Sequence, residues 1–246
     1  MRTLYGEWIK LRRTLCLWLV IFAPLLYSLF MVWYFSGRSV TESLPMAIYE
    51  GFYQVWAAIV VPLGAGLLIG LMTQQEGLAG SFQGLLGSRT PRKSLYLGKL
   101  AMAILLTTVS TALAVLTLVL GLKLAGIPIS SSPFIGAAVI VELTTIPLLA
   151  LHLWIGFAWG FGPSVGVGGA GMLLGALSFT TLGNSYWQYI PWGWAARFSM
   201  IPGAHFYYQL IPPVSKVVFL STAFLFVVVI GGLLWFDQWE GRKIPD

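Results

Sequence analysis

Six long apolar runs alternate with short polar connections along the chain. They lie at Leu15–Phe35, about Phe52–Thr73, Leu100–Leu122, about Phe134–Phe161, Val165–Leu182 and Val217–Phe236. A helix needs about 20 apolar residues to cross a bilayer, and each run comes close to that or exceeds it. Gly162-Pro163-Ser164 predicts a tight turn between the fourth and fifth runs. The pattern predicts an all-α polytopic membrane protein with six transmembrane helices, residues 1–246 forming one domain.

Ahead of the first run, Leu4, Trp8, Leu11 and Leu15 recur at helical spacing, with Glu7, Lys10, Arg12 and Arg13 off that stripe. Residues 1–14 therefore read as an amphipathic helix lying in the membrane interface, or as a plain extension of the first span. The run Leu15–Phe35 is too long for a signal-peptide core, and no small-residue cleavage site follows it.

Composition narrows the class. Of 246 residues, 58% are hydrophobic and 9% charged, and the mean hydropathy is +0.84. A soluble domain carries about a quarter charged residues, so that class is excluded. The net charge of +6 does not point to nucleic acid, because its cations flank the spans and leave no surface for a duplex. Counted on alternate sides, ten Lys and Arg fall with the N-terminus and four on the other side. Cytoplasmic segments of membrane proteins are the Lys- and Arg-rich ones, so both termini are expected in the cytoplasm. Cys16 is the lone cysteine, which excludes an internal disulfide or a thiolate metal cluster.

No enzyme signature is present. His152 and His205 belong to no metal-binding spacing, and no phosphate loop of the GxxxxGK[ST] form occurs. The chain is expected to be no enzyme and to hold no metal or cofactor of its own. A GxGxxG match at Gly166-Val167-Gly168-Gly169-Ala170-Gly171 lies inside an apolar run with no preceding strand. It reads as helix packing rather than a nucleotide site. Gly66/Gly70, Gly156/Gly160 and Gly171/Gly175 are small-xxx-small pairs that let helices approach closely, within one chain or against a second subunit.

Glu142 stands eight residues into the fourth run, about 12 Å along it. A charge at such depth costs about 3 kcal/mol, so the carboxyl must face protein or water or carry a proton. It is a candidate point on a translocation path, pairing with a cationic substrate, or a buried carboxyl hydrogen-bonded to a neighbouring helix. His152 lies on another face of that helix and reads as a packing residue.

The loop 74–96 carries the sharpest signal. Leu78, Phe82, Leu85 and Leu86 make an apolar stripe on a short helix beginning near Glu76, which Gly87-Ser88 would end. Thr90-Pro91 would start the next helix. A helix too short to cross, apolar on one side, invites a protein groove or the bilayer surface. The segment 184–213 holds nine aromatics, among them Trp187, Trp192 and Trp194, and is broken by prolines. It predicts short helices anchored by aromatic rings at the outer interface.

These elements together resemble a known family. The start "GEWIKLRRT", the loop "QQEGLAGSFQGLLGSRTPRKSLYLGK" and the outer run "IPWGWAARF" are similar to ABC-2-type permeases, closest to the permease subunits of lantibiotic-immunity transporters of Gram-positive bacteria. The resemblance implies an ABC-2, type V exporter-like fold in the bacterial cytoplasmic membrane. It implies that Glu76, Leu78, Phe82, Leu85 and Leu86 form a coupling helix seated in a cytoplasmic ABC ATPase present in two copies. ATP and Mg²⁺ would be bound by that partner. A second, similar permease subunit would complete the pathway, and the cargo would be a cationic antimicrobial peptide expelled from the membrane for self-immunity. Export of another antibiotic or lipid-linked substrate, or proton-coupled carriage through Glu142, are the alternative readings.

Overall fold

A computed structural model describes residues 2–12, 14–80, 82–88, 90–210 and 213–242. Arg13, Ser81, Arg89 and Pro212, which the sequence reading invokes, lie outside the described residues. A short helix α1 (Arg2–Leu11) precedes α2 (Leu15–Ser36). A continuous rod follows, built from α3 (Leu44–Val55), a π-helical turn (Trp56–Val60) and α4 (Val61–Leu78). The four-residue α5 (Gln83–Leu86) leads to α6 (Arg92–Leu124), α7 (Ser132–Trp159) and α8 (Phe161–Leu177). Short pieces follow: α9 (Thr181–Tyr186), a 3-10 turn (Trp187–Tyr189), α10 (Pro191–Phe198) and α11 (Ile201–Tyr208). The last helix is α12 (Ser215–Gln238). No strand occurs among the described residues.

Among the described residues, five helices are long and apolar enough to cross a membrane: α2, the α3–α4 rod, α6, α7 and α12. The sixth candidate is α8 with α9 and the 3-10 turn, bent by 101°. The sequence reading placed a straight span over Val165–Leu182, and the structure corrects this. The bend has a chemical cause. Arg197 Nε on α10 donates to the Ser178 carbonyl (2.9 Å), taking up an acceptor that a continuing helix would use. The Thr180 hydroxyl accepts the Gly183 N–H (3.3 Å) and caps α9. Capping both sides of the break satisfies backbone groups that an apolar environment would leave costly.

Two further boundaries move. The break between α7 and α8 falls at Gly160, not at Gly162-Pro163-Ser164, because Gly160 adopts φ +98°, where a side chain is disfavoured. Gly160 is thus a helix terminator and not the second member of a packing pair with Gly156. The rod also starts at Leu44, well before Phe52, because its first turns carry Tyr49, Phe52 and Tyr53, all fully buried. Their polar tips are satisfied: Tyr53 donates to the Phe134 carbonyl and Tyr49 to the Ser199 carbonyl. Tyr27 on α2 donates to the Phe52 carbonyl (2.8 Å).

Close approach through small residues sets the middle of the bundle. A Cβ added at Gly66 would lie 2.6 Å from the Ser164 carbonyl oxygen, and one at Gly175 equally close to the Ala58 carbonyl. Gly70 faces Phe161, Gly156 faces Thr73, and Gly171 lies under the Trp192 ring. The glycine positions therefore pack helices within this chain. By contrast, α2 and α12 keep wide apolar faces exposed, as helices bathed in lipid do.

Gly66→Leu should prevent α4 and α8 from meeting and cut the yield of monodisperse protein severalfold in detergent size-exclusion. An overpacked contact costs about 1–3 kcal/mol, and here backbone must move. Gly64→Ala, with open space around its Cβ, should behave as wild type in the same assay.

Candidate functional site

The N-terminal helix, the turn after α4, the start of α6 and the end of α12 converge at one end of the bundle. Lys99, in the second turn of α6, is 1% exposed. Its Nζ donates to Glu7 Oε2 on α1 (2.7 Å) and to Glu76 Oε1 at the end of α4 (2.6 Å). Lys10 on α1 also donates to Glu76 Oε1 (2.6 Å) and lies 3.2 Å from Glu7 Oε1. Two cations and two anions thus close a neutral network that joins three helices. Gln75 adds a bond from Nε2 to the Lys10 carbonyl (2.8 Å).

An ammonium withdrawn from water costs several kcal/mol unless it is paired with good geometry, and here both carboxylates supply that pairing. Lys10 sits at the rim, its side chain 42% exposed. Burial pulls its pKa down, but the hydrogen bond and charge of Glu76 and the charge of Glu7 outweigh this and hold it above its ordinary value of 10.5. The sign is that of a stabilising partner. The contribution is present below the ordinary lysine value and lost only as pH rises through the raised one.

The N-terminal helix keeps its two-sided pattern, and the structure adds what its polar side touches. Glu7 is buried and faces Lys99, while Leu4, Tyr5, Trp8 and Ile9 are exposed. The polar side of α1 thus faces the protein at Glu7 and Lys10, and its apolar side faces outward. Of the predicted stripe, only Leu11 is well buried.

The turn between α4 and α6 is rearranged. The predicted helix over Glu76–Leu86 is two pieces, because α4 ends at Leu78, Gly80 takes φ +105° and Phe82 takes φ +68°. A bulky residue there carries about 1–3 kcal/mol of backbone strain. What holds it is the Phe82 ring, 1% exposed, against Trp239 (ring centroids 5.0 Å) and Phe157 (6.2 Å). Leu85 is also buried, Leu86 is partly covered, and Glu76 is occupied by its two lysines. Phe82 and Leu85 therefore point inward and are not offered to a groove, whereas Leu78 of the same stripe stands outward. The exposed residues of the turn include Leu78, 77% exposed, with Ala79, Gly80, Gln83, Gly84 and Gly87. The far side is clasped by Arg92, whose Nη1 donates to the carbonyls of Asp237 (3.0 Å) and Trp239 (2.8 Å).

These features belong to a membrane protein whose inter-span turn is braced on one side and open on the other. A family model described as ABC-2 family transporter protein matches residues 3–168. The chain belongs to the ABC-2 family. Searches of curated proteins and of solved structures returned no match. An ABC-2 family transporter protein is a multi-pass membrane protein, the permease part of an ABC transporter, and works with an ABC ATPase.

The remaining site residues of this ABC-2 protein lie apart from that end. Glu142 on α7 accepts a bond from the Thr107 hydroxyl on α6 (2.7 Å) and is half-buried beside a cleft. His152 is fully buried, its Nδ1 3.3 Å from the Ser164 hydroxyl, which donates to the Gly66 carbonyl (2.9 Å). It packs α4, α7 and α8 together, as expected. The outer segment does form short helices, and its tryptophans pack against the chain to different degrees, Trp187 and Trp192 being half-buried. Trp194 is 3% exposed, bonds to the Gln188 carbonyl (2.9 Å) and meets Phe224 edge-on. Trp187 packs against Phe198 and Trp192 against Gly171. The exposed rings are instead Tyr186, Tyr189, Phe206 and Tyr208.

Lys99 and Glu7 were missed as site residues. The available signal was an isolated lysine between Gly98 and Leu100, in the same helical register as an apolar run. Lys99→Ala should cost about 3–5 kcal/mol by leaving two buried carboxylates facing each other. Lys10→Ala should cost about 0–1 kcal/mol, since its head is partly in water. Thermal unfolding in detergent ranks the two. Phe82→Asp should lower the melting temperature as well, because its ring is part of the aromatic core.

Proposed function

We propose that this chain is one permease subunit of an ATP-driven exporter whose two ATPase copies dock at the end formed by α1, the turn after Leu78 and the tail of α12. The observation that carries this reading is the turn itself: exposed at Leu78, Gln83 and Gly84, and braced behind by the Glu7–Lys10–Glu76–Lys99 network. A push on the exposed side passes directly into α4, α6 and α1, because those helices share one set of ion pairs. The excess of Lys and Arg on this side supports a cytoplasmic placement. ATP and Mg²⁺ belong to the partner, and hydrolysis is its chemistry.

A second permease is part of this proposal, since five or six spans make half of a translocation unit and leave wide apolar faces to share. The cargo is a cationic antimicrobial peptide of the lantibiotic kind, expelled from the bacterial cytoplasmic membrane for self-protection. That assignment rests on the likeness of the N-terminal, loop and outer sequences to lantibiotic-immunity permeases.

Tagged chain purified from native membranes in mild detergent should bring down an ATPase and a second permease, with measurable ATP hydrolysis. Leu78→Asp should reduce ATPase recovery at least tenfold without changing yield or melting temperature, since Leu78 makes little contact within the chain. Recovery of the chain alone, with substrate movement persisting without any ATPase, would overturn the proposal in favour of a carrier working through Glu142.

A further inference from the structure

Glu142 occupies an unusual place. It lies ten residues into α7, about 15 Å from the helix start and so near the middle of a hydrocarbon layer about 30 Å thick. Among the described residues no Lys, Arg or His lies within ion-pair distance of it. One carboxylate oxygen is held by Thr107. The group borders a cleft of about 390 Å³ between α6 and α7. The cleft walls are apolar apart from Glu142 and the hydroxyls of Thr108 and Thr111, and its rim residues Leu116, Val139 and Leu143 are exposed on the lateral face of the bundle.

This combination has a specific chemical meaning. A carboxylate at mid-membrane is costly without a cation, and the described residues supply none here. An apolar slot opening sideways admits a hydrocarbon chain, which loses nothing on leaving lipid of equal apolarity. The two features together select a molecule that carries both.

We propose that the α6–α7 cleft is a laterally open site for the cationic head of a membrane-dissolved amphiphile, bound by the Glu142 carboxylate, with Thr107 as its positioning residue. The guest's ammonium or guanidinium donates to the carboxylate while the Thr107 hydroxyl fixes its orientation. The guest's apolar part lies along Leu116, Val139 and Leu143. The hydroxyl has a second use. Its single proton can also go to the Ala103 or Ile104 carbonyls, both 3.1 Å away, so the carboxylate can lose and regain this bond without movement of either helix. The site deepens the exporter reading and rests on it for its role, placing recognition inside the bilayer.

The test uses the full chain in nanodiscs of zwitterionic phosphatidylcholine, which removes competing anionic lipid, and needs no ATPase. Binding of dansyl-labelled dodecylammonium should saturate. Glu142→Gln, which keeps the shape of the side chain, should weaken it at least tenfold. Leu143→Trp, a change on an exposed position that fills the cleft, should weaken it similarly, while dodecanol should not compete. Equal binding by Glu142→Gln, equal competition by dodecanol, or no saturable binding to wild type would each overturn the proposal. So would Leu143→Trp binding as wild type. Loss of a second permease from Glu142→Gln pull-downs, with probe binding intact, would assign the carboxylate to subunit pairing instead. Failure of the exporter reading would show in the ATPase pull-down and leave these binding results unchanged.

Discussion

A lysine sealed from water fixes this end of the molecule. Lys99 can remain charged in its buried position only if carboxylates reach it, and the two that do come from α1 and from the last turns of α4. The need to neutralise one ammonium therefore determines where the N-terminal helix lies, where the second span ends, and how the following turn is presented. Lys10 completes the balance at the rim. Removing either partner of such a network is far more costly than never having built it, because the remaining charges have no water to return to. The same network ties the last turns of α4, just before Leu78, to α1 and α6.

Away from that end, the constraint is hydrogen-bond satisfaction in an apolar surrounding. Tyrosine tips bond to backbone carbonyls, the Ser164 hydroxyl bonds to Gly66, and Arg197 takes the carbonyl exposed where α8 breaks. Gly66 and Gly168 bring α4 and α8 close together, and Gly175 seats α8 on the π-helical turn. The bent fifth segment is tolerated because its freed backbone groups are capped inside the protein and not left in lipid. Glu142 is the exception. It has a hydroxyl partner but no counter-charge among the described residues.

Five of the six spans were legible because long apolar runs favour a crossing helix, whereas the bend in the fifth run was not, and the excess of basic residues on one side followed from simple counting. The direction in which side chains face was not. Membrane helices are apolar on all sides, so no periodic signal separates the buried Trp194 from the exposed Trp33. In α1 the amphipathic pattern was legible, but not that Glu7 and Lys10 on its polar side meet Lys99 and Glu76. Lys99 read as a topology marker since sequence spacing cannot show that Glu7 lies beside it. The turn's apolar stripe was visible, whereas the left-handed backbone at Phe82 that folds it inward was not, there being no glycine at that position to announce it.

The measurement that bears most directly on the account is a double-mutant cycle between Glu76→Gln and Lys99→Met, read in the purified complex as both unfolding free energy and ATP hydrolysis. Groups in one network couple by about 0.5–3 kcal/mol, whereas independent sites do not. The account predicts that the double variant loses much less stability than the two single losses combined, and that ATP turnover is impaired in all three. Additive stability losses, or wild-type turnover in the single variants, would contradict the claim that this buried ion network braces the docking turn.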